Sequence, residues 1–278
     1  MLRLKEHRSS GQIAMRRRLD LELVRRGLTE SRARAQEAIA AGLVLVSGTR
    51  ADRPGRLVSP DEPVHLEAPP TRFVSRGGEK LAAALDRFAV AVEGRTALDA
   101  GASTGGFTDC LLQRGAASVV AVDVGTGQLA WSLRNDPRVT VRERCNVRHL
   151  TLADLGGEPV DLVVGDLSFI SLRLVAAALA GVARPGADVV LLIKPQFEAG
   201  RAQVRRGGLV TDPAVHRSVL ETVTTALAGE GLAPLAVTPS PLRGASGNIE
   251  FLGHFRVRPG ASGLDPEVIA AVVEDGHR

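Results

Sequence analysis

The segment Thr96–Asp109, with the sequence TALDAGASTGGFTD, reads in order as a buried strand, a glycine-rich turn and the start of a helix. The apolar run ends in Asp99, and the turn that follows contains three glycines and Ser103. A second strand pattern, Ser118–Val122, comes next and is followed by Asp123. This order of elements predicts the opening of a doubly wound α/β sheet, whose ligands bind at the carboxyl ends of the strands.

Later segments continue the same pattern. Two buried strands are predicted at Val160–Val164 and Val189–Ile193, each followed by a polar segment. A late strand is predicted around Glu250, because apolar Ile249 and Phe251 flank it. The first helix of the domain is predicted to begin near a lysine. The ionisable side chains that these elements bring to one edge of the sheet are Lys80, Asp166, Lys194 and Glu250.

Lysine is rare in this chain, since only Lys5, Lys80 and Lys194 among 35 basic residues are lysine. The surroundings of an amine can move its pKa, whereas a guanidinium stays protonated in proteins. Two of the lysines stand in motif-like settings, SRGGEKL and LLIKP. This favours amine chemistry at a site, and chance retention of a salt-bridging lysine is the alternative.

The composition is that of a globular protein, with 44% hydrophobic and 24% charged residues among 278. No apolar stretch approaches the roughly 20 residues of a membrane span, and the basic N-terminus has no apolar signal segment. We therefore expect a cytoplasmic protein that does not act on membranes. Cys110 and Cys145 lack metal-ligand spacing, so we expect reduced packing residues and no metal site.

Positive charge is concentrated at the N-terminus. Residues 1–60 hold 13 basic and 6 acidic residues, whereas residues 61–278 hold 22 and 25. Two short helices, Arg17–Gly27 and one capped by Thr29 or Ser31, are predicted before a strand at Leu43–Val46. A basic patch on a small domain is typical of nucleic-acid binding. The arginines that cluster at the joint of the two helices are Arg25, Arg26, Arg32 and Arg34.

The glycine-rich turn indicates a nucleotide-like cofactor. It departs from G-x-G-x-x-G because Ser103 stands at the second glycine, which blocks close approach of a pyrophosphate. A carboxylate before the turn, Asp99, suits the ammonium group of S-adenosylmethionine. Asp123, about 20 residues on, is placed to hold ribose hydroxyls. A methyltransferase is favoured over an enzyme that uses a nicotinamide dinucleotide.

These motifs carry a resemblance to known families. The N-terminal strings RLD (residues 18–20), RRGL (25–28) and VLVSG (44–48) resemble the S4 RNA-binding domain. The order Lys80, Asp166, Lys194, Glu250 is similar to the K-D-K-E tetrad of RrmJ/FtsJ-like ribose 2'-O-methyltransferases. With the strings DAGASTGGFTD, GDLSFIS, LIKPQFE and GNIE, residues 16–258 resemble the TlyA family. Some members carry the label haemolysin, although nothing in this sequence indicates a pore-forming or secreted protein.

The resemblance implies a Rossmann-like α/β methyltransferase domain dependent on S-adenosylmethionine, preceded by a small α+β S4 domain. It implies 2'-O-methylation of cytidines in ribosomal RNA of the small subunit, the large subunit or both. Lys194 would orient and help to deprotonate the 2'-hydroxyl, Asp166 and Glu250 would place its amine, and Lys80 would hold the ribose or a phosphate. The expected cofactor-binding residues are Asp99, Gly101, Ser103, Gly105, Phe107, Asp123 and Asn146. The expected RNA-binding residues are Arg18, Arg25, Arg26, Arg32 and Arg34.

The expected boundaries are a disordered tail over residues 1–15, an S4-like domain over 16–68, a linker over 69–76, a methyltransferase domain over 77–258 and a C-terminal tail over 259–278. The chain could start at Met1 or Met15. Two other functions stay open on the sequence, an NAD-type oxidoreductase and a catalytically inactive ribosome-binding protein. The expected partner is ribosomal RNA, either naked or within a ribosomal subunit.

Overall fold

The computed structural model of the chain describes residues 16–29, 31–67, 72–244 and 246–278. These residues divide into two compact units, one up to residue 67 and one from residue 72 onward. The tail expected over residues 1–15, and with it the choice between Met1 and Met15, lies outside the described residues.

The N-terminal unit is a small α+β structure. Its helices are α1 (Leu19–Arg25) and α2 (Arg32–Ala40), and Ser31 caps α2 by accepting a hydrogen bond from the Arg34 backbone N–H. Its apolar core contains Leu19, Leu23, Ile39, Val44 and Val46. The strands are β1 (Arg17–Arg18), β2 (Val44–Val46), β3 (Thr49–Arg50), β4 (Leu57–Val58) and β5 (Val64–Leu66). Strands β3, β2 and β5 form one antiparallel sheet in that order, and β1 pairs with β4.

The second unit is built on a seven-stranded sheet with the order β11-β12-β10-β9-β6-β7-β8. The five strands from β10 to β8 run parallel, and β12 and β11 add an antiparallel hairpin at one edge. The strands are β6 (Thr96–Ala100), β7 (Ser118–Val122), β8 (Val139–Arg142), β9 (Val160–Gly165), β10 (Ala183–Ile193), β11 (Leu232–Pro239) and β12 (Phe251–Val257). The predicted α/β fold with a preceding α+β unit is confirmed.

Helices cover the two faces of this sheet, and each face has its own apolar core. Two buried strands, β9 and β10, consist almost wholly of aliphatic residues where they pair, as strands covered on both faces must. The helices are α3 (Gly77–Arg87), α4 (Gly106–Gln113), α5 (Trp131–Arg134), α6 (Ala176–Gly181), α7 (Pro195–Glu198), α8 (Pro213–Gly229) and α9 (Pro266–Gly276).

The late strand differs from its prediction. It begins at Phe251, so Glu250 precedes it instead of lying within it. Strand β10, its partner, ends at Ile193 opposite Phe251, directly before Lys194. Before β12 the chain forms a tight loop in which the Gly244 N–H donates to the Asn248 carbonyl at 2.9 Å. This loop turns Glu250 inward, and its side chain is only 3% exposed.

The C-terminal tail and the linker also differ from their predictions. Residues 259–278 are not a tail, because they contain α9, whose Ile269 and Val273 are buried in the main core. The linker expected over residues 69–76 is part of the second unit from Arg72 onward. Phe73 is buried there, and a side chain at Gly78 would collide with its ring. Both segments therefore contribute to the packing of the second unit.

None of the helices in the described ranges has the length and apolar character that crossing a membrane requires.

Candidate active site

The site lies where the strand order of the sheet reverses, between β6 and β9. The chain proceeds from β6 outward to β7 and β8, then returns to the other side of β6 with β9. The Asp166 N–H after β9 donates to the Ala100 carbonyl at the end of β6 at 3.1 Å. Gly101 has a φ of +84° there, and a Cβ on it would lie 3.1 Å from the Asp166 carbonyl oxygen. Such a crevice is where open α/β sheets bind ligands.

Two neighbouring clefts open at this point. The larger, of about 1140 Å³ together with the solvent space at its opening, is lined by residues that include Asp123, Asn146 and Phe169. The smaller, of about 470 Å³, contains Lys194 and Phe107. The residues that line both clefts are Gly101, Ser103, Asp166 and Ser168. A ligand in the larger cleft would therefore meet the lysine of the smaller one along this shared wall.

The four predicted catalytic residues form two ion pairs. Lys194 Nζ lies 2.6 Å from Asp166 Oδ1, and Lys80 Nζ lies 2.5 Å from Glu250 Oε2. Lys80 is in the first turn of α3, as predicted, and both lysines are 9% exposed. Glu250 therefore holds Lys80, not Lys194 as the sequence had suggested.

A serine that sequence reasoning gave no role completes the surroundings of Lys194. Ser168 Oγ accepts a hydrogen bond from Lys194 Nζ at 2.8 Å. The signal was present, because Ser168 stands two residues after Asp166 in the segment that follows β9. Lys194 itself follows β10 directly and is the residue before α7. The amine thus forms an ion pair with Asp166 and a hydrogen bond with Ser168, both in the segment that follows the neighbouring strand β9.

Asp123 and Ser103 meet at the glycine-rich turn. Ser103 has a left-handed φ of 49°, and its N–H donates to Asp123 Oδ2 at 2.8 Å. The other oxygen of Asp123 accepts from the Gly125 N–H at 2.7 Å. Each carboxylate oxygen has a second lone pair available, so Asp123 can still accept a hydrogen bond from a hydroxyl group in the larger cleft.

Asp99 and Gly105 lie behind the turn and do not line either cleft. Asp99 is completely buried, and its Oδ2 accepts a hydrogen bond from Thr108 Oγ1 at 2.6 Å. Burial raises the pKa of Asp99 to about 7, because a carboxylate is poorly solvated there. Gly105 has a φ of +98°, and a side chain on it would collide with Leu133.

Phe107 and Asn146 line different clefts. Phe107 is buried in α4 and borders the smaller cleft. Asn146 borders the larger cleft, where its side-chain oxygen accepts a hydrogen bond from the Arg148 N–H at 3.0 Å.

An exposed aromatic ring stands at the mouth of the larger cleft. Phe169 is 91% exposed and has a φ of 62°, a conformation that is rare for a bulky residue. Its ring lies 5.2 Å from that of Phe197, centroid to centroid, and Lys194 Nζ lies 5.8 Å from the Phe197 ring. Core packing does not account for Phe169, because an exposed ring buries little apolar area.

The site fits S-adenosylmethionine in its chemistry. The larger cleft lies at the crevice where open α/β sheets bind ligands and has a carboxylate, Asp123, in its wall. Asp99 Oδ1 is buried and has no hydrogen-bond partner among the described residues, so negative potential behind the turn is not neutralised when Asp99 is ionised. A cation at the turn is the complement of that potential. The methionyl ammonium and the sulfonium are both cations.

The arginines predicted to bind RNA are engaged with acidic residues of the N-terminal unit. Arg18 and Arg32 bond buried Asp20 at 3.0 and 2.9 Å. Arg25 and Arg26 bond buried Glu22, and these hydrogen bonds, chiefly that from Arg25, lower the pKa of Glu22 to about 2. The remaining predicted arginine, Arg34, forms an ion pair with Glu37 at the surface, at 2.8 Å.

Arg26 differs from the other four arginines. Its side chain is 19% exposed, and its guanidinium also donates to the carbonyls of Ser59, Pro60 and Glu62. Arg26 therefore fixes the turn before β5, whereas the other four predicted arginines keep a large part of their side chains in solvent.

Comparisons with known proteins agree with this architecture. A model of the FtsJ-like methyltransferase family matches residues 73–257, and a model of the S4 domain matches residues 17–64. The "16S/23S rRNA (cytidine-2'-O)-methyltransferase TlyA" of Mycobacterium tuberculosis is 51% identical over 94% of this chain and 99% of its own. The "Putative rRNA methyltransferase YqxC" of Bacillus subtilis is 47% identical over 94% of both chains. A solved structure, "Putative hemolysin from Streptococcus thermophilus", has a TM-score of 0.74 and 42% identity over 95% of this chain and 96% of its own.

Proposed function

The chain belongs to the TlyA family of FtsJ-like methyltransferases, and from this premise we propose that it methylates the 2'-hydroxyl of cytidine in ribosomal RNA with S-adenosylmethionine. The observation that carries the proposal is the Lys194 amine, which is held by Asp166 and Ser168 beside the larger cleft. We further propose substrates in both ribosomal subunits, because the relative from Mycobacterium tuberculosis is named for 16S and 23S RNA.

The alternative of a nicotinamide-dependent oxidoreductase has no support, because the chain belongs to a methyltransferase family. A binding protein without activity is disfavoured by the intact tetrad of Lys80, Asp166, Lys194 and Glu250. Ribosomal RNA as the substrate implies action in the cytoplasm.

The chemistry requires alignment more than activation. S-adenosylmethionine supplies, when bound, a methyl group on a positively charged sulfur that departs as a neutral thioether. The protein has to hold the ribose oxygen in line with that methyl group and remove its proton. Alignment of this kind contributes on the order of 7–11 kcal/mol in well-oriented reactions. Asp123 would hold the cofactor ribose, and Gly101 and Ser103 would border its methionine part.

Lys194 is the proposed acceptor of the hydroxyl proton. A neutral amine has two N–H groups and one lone pair. Ser168 Oγ accepts one N–H group at 2.8 Å, and the Asp166 carboxylate lies 2.6 Å from Nζ, where it can balance the charge of the ammonium form. The lone pair is then free for the proton of the 2'-hydroxyl. After the transfer, Asp166 stabilises the resulting ammonium, which is the form that it binds best.

The RNA would be bound at two places. The arginines that remain partly exposed, Arg18, Arg25, Arg32 and Arg34, would contact phosphates with the N–H groups that point to solvent. Phe169 would stack on the target cytosine once that base leaves its helix, because an exposed ring gains stacking energy only from a ligand. Arg26 would act indirectly, by holding the turn before β5.

Transfer of labelled methyl from S-adenosylmethionine to unmodified small subunits, large subunits and protein-free ribosomal RNA tests the proposal. The products are digested to nucleosides, separated by chromatography and fragmented in a mass spectrometer, which distinguishes a methyl group on the ribose from one on the base. We expect 2'-O-methylcytidine as the labelled nucleoside. Label on a base, or no transfer by a protein that binds the cofactor, would contradict the proposed reaction.

A further inference from the structure

Two arginines outside the tetrad lie together at the mouth of the site. Arg76 Nη2 donates a hydrogen bond to the backbone carbonyl of Arg243 at 3.3 Å, across 167 residues of sequence. Both residues are exposed, and neither forms an ion pair with any residue that the structure describes. The Arg243 guanidinium lies against its own loop, where Nη1 donates to the Gly247 carbonyl at 3.5 Å, so both side chains keep further N–H groups for an anion.

Both arginines adjoin the Lys80–Glu250 pair. Arg76 immediately precedes α3, one turn before Lys80, and its neighbours Ser75 and Gly77 line the smaller cleft with Lys194. On the other side, Arg243 precedes Gly244. A Cβ at Gly244 would lie 2.5 Å from Glu250 Oε1, so this part of the loop packs directly on the Glu250 carboxylate.

Hydrogen bonds fix the position of Arg243. The loop that follows it is closed by the Gly244 N–H to the Asn248 carbonyl and by the Gly247 N–H to the Gly244 carbonyl, at 2.9 and 2.8 Å. Asn248 is itself buried, and its side chain bonds the Val210 N–H at 2.9 Å and the Gly208 carbonyl at 2.8 Å. Arg243 is therefore presented from a braced loop.

The tetrad alone offers no positive charge to bind an RNA phosphate. Lys80 pairs with Glu250 and Lys194 with Asp166, and the second pair carries a net negative charge when Lys194 is the neutral amine, so the tetrad has no net positive charge to offer. RNA brings one negative charge per nucleotide. In any ribonucleotide the 2'-hydroxyl is on the carbon next to the one that bears the 3'-phosphate. A 2'-oxygen at Lys194 therefore brings a phosphate close to the site.

We propose that Arg76 and Arg243 bind the backbone phosphate adjacent to the methylated ribose and so position its 2'-hydroxyl at Lys194. This assignment rests on the proposed function and deepens it. A guanidinium suits the role, since its planar set of N–H donors matches phosphate oxygens in a bidentate manner. Arg76 and Arg243 are positioning residues here, because the reacting atoms are elsewhere.

The test compares Arg76→Gln, Arg243→Gln and the double variant with Arg87→Gln. Arg87 is exposed at the far end of α3 and loses the same charge. We expect Arg76→Gln and Arg243→Gln each to raise KM for ribosomal RNA at least about tenfold, the size expected for the loss of a hydrogen bond between charged groups. If both arginines hold one phosphate, the double variant is little worse than either single one. The slope of log affinity against log salt falls by about 0.7–0.9, the value for one phosphate contact.

Cofactor affinity, measured by calorimetry, should be the same in all variants. If KM and the salt slope equal those of Arg87→Gln, the proposed phosphate contact is wrong, and the proposed function is unaffected. An equal loss of cofactor affinity would also overturn the phosphate contact, because the arginines would then belong to the cofactor site. Absence of RNA methylation by the wild-type protein would overturn the proposed function, and with it the phosphate contact that rests on it.

Discussion

Replacing one partner of the Lys80–Glu250 pair separates its structural role from its chemical one. Both side chains are nearly buried, and their charged atoms lie 2.5 Å apart. Lys80→Met or Glu250→Met leaves a charge without its partner in that position. Breaking a buried pair in this way costs about 3–5 kcal/mol of unfolding free energy. For a domain of roughly 150–250 residues, that lowers Tm by about 6–20 °C.

The double variant Lys80→Met/Glu250→Met removes both charges and fills a similar volume. We expect its unfolding free energy to return to within about 1 kcal/mol of wild type or to exceed it, because a buried ion pair rarely stabilises more than apolar packing does. Methyl transfer should stay lost in all three variants. Urea unfolding followed by circular dichroism gives the stability, and labelled methyl transfer gives the activity.

Two results would refute this reasoning. Single variants as stable as wild type would mean that the pair is solvated in the protein in solution. A double variant that regains both stability and activity would mean that Lys80 and Glu250 serve the fold alone.

Three further predictions concern the cofactor, pH and the target base. Asp123→Ala should weaken cofactor binding at least about tenfold by calorimetry, because it removes a charged acceptor from the larger cleft; unchanged affinity would contradict the placement of the cofactor. Burial lowers the pKa of His216, whose Nε2 donates to the Val210 carbonyl, so the folded state takes up its proton less readily than the unfolded one. The raised pKa of Asp99 acts in the opposite direction, so the effect of His216 is measured as the difference in unfolding free energy between wild type and His216→Asn. This difference should fall as pH drops below about 6.5, by at most about 1.4 kcal/mol per pH unit, whereas the difference between wild type and His149→Asn, at an exposed position, should not change with pH in this way. Phe169→Ala should change stability by no more than about 0.5 kcal/mol and raise KM for RNA about 5- to 150-fold, the loss of one stacked base; an unchanged KM would exclude stacking.

The sequence predicted the parts of the site that depend on local pattern. Strands β6 and β7 lie where the apolar runs placed them, and the left-handed Ser103 occupies the turn between β6 and α4. Lys194 follows a buried strand as expected. Strand ends on one sheet edge are determined by chain order and alternation, so a single sequence contains that information.

Local sequence pattern could not predict which lysine of the tetrad pairs with which carboxylate. Lys80 and Glu250 are 170 residues apart, and which lysine meets Glu250 depends on the path of the loop before β12. The helix α9 could have been found, because Asp265 and Pro266 form an N-terminal signal and Ile269 and Val273 share one face. The engagement of Arg26 with three carbonyls had no sequence signal, since it depends on a turn more than 30 residues away.

The most direct test of the account is single-turnover methyl transfer by Lys194→Arg, with cofactor affinity measured on the same sample. Arginine matches the charge of the protonated form of Lys194 beside Asp166 but has no lone pair to accept a proton. We predict unchanged cofactor affinity and a rate about 10²–10⁴ times lower, the usual contribution of a positioned general base. A rate close to that of wild type would contradict the central claim that the Lys194 amine takes the proton of the 2'-hydroxyl.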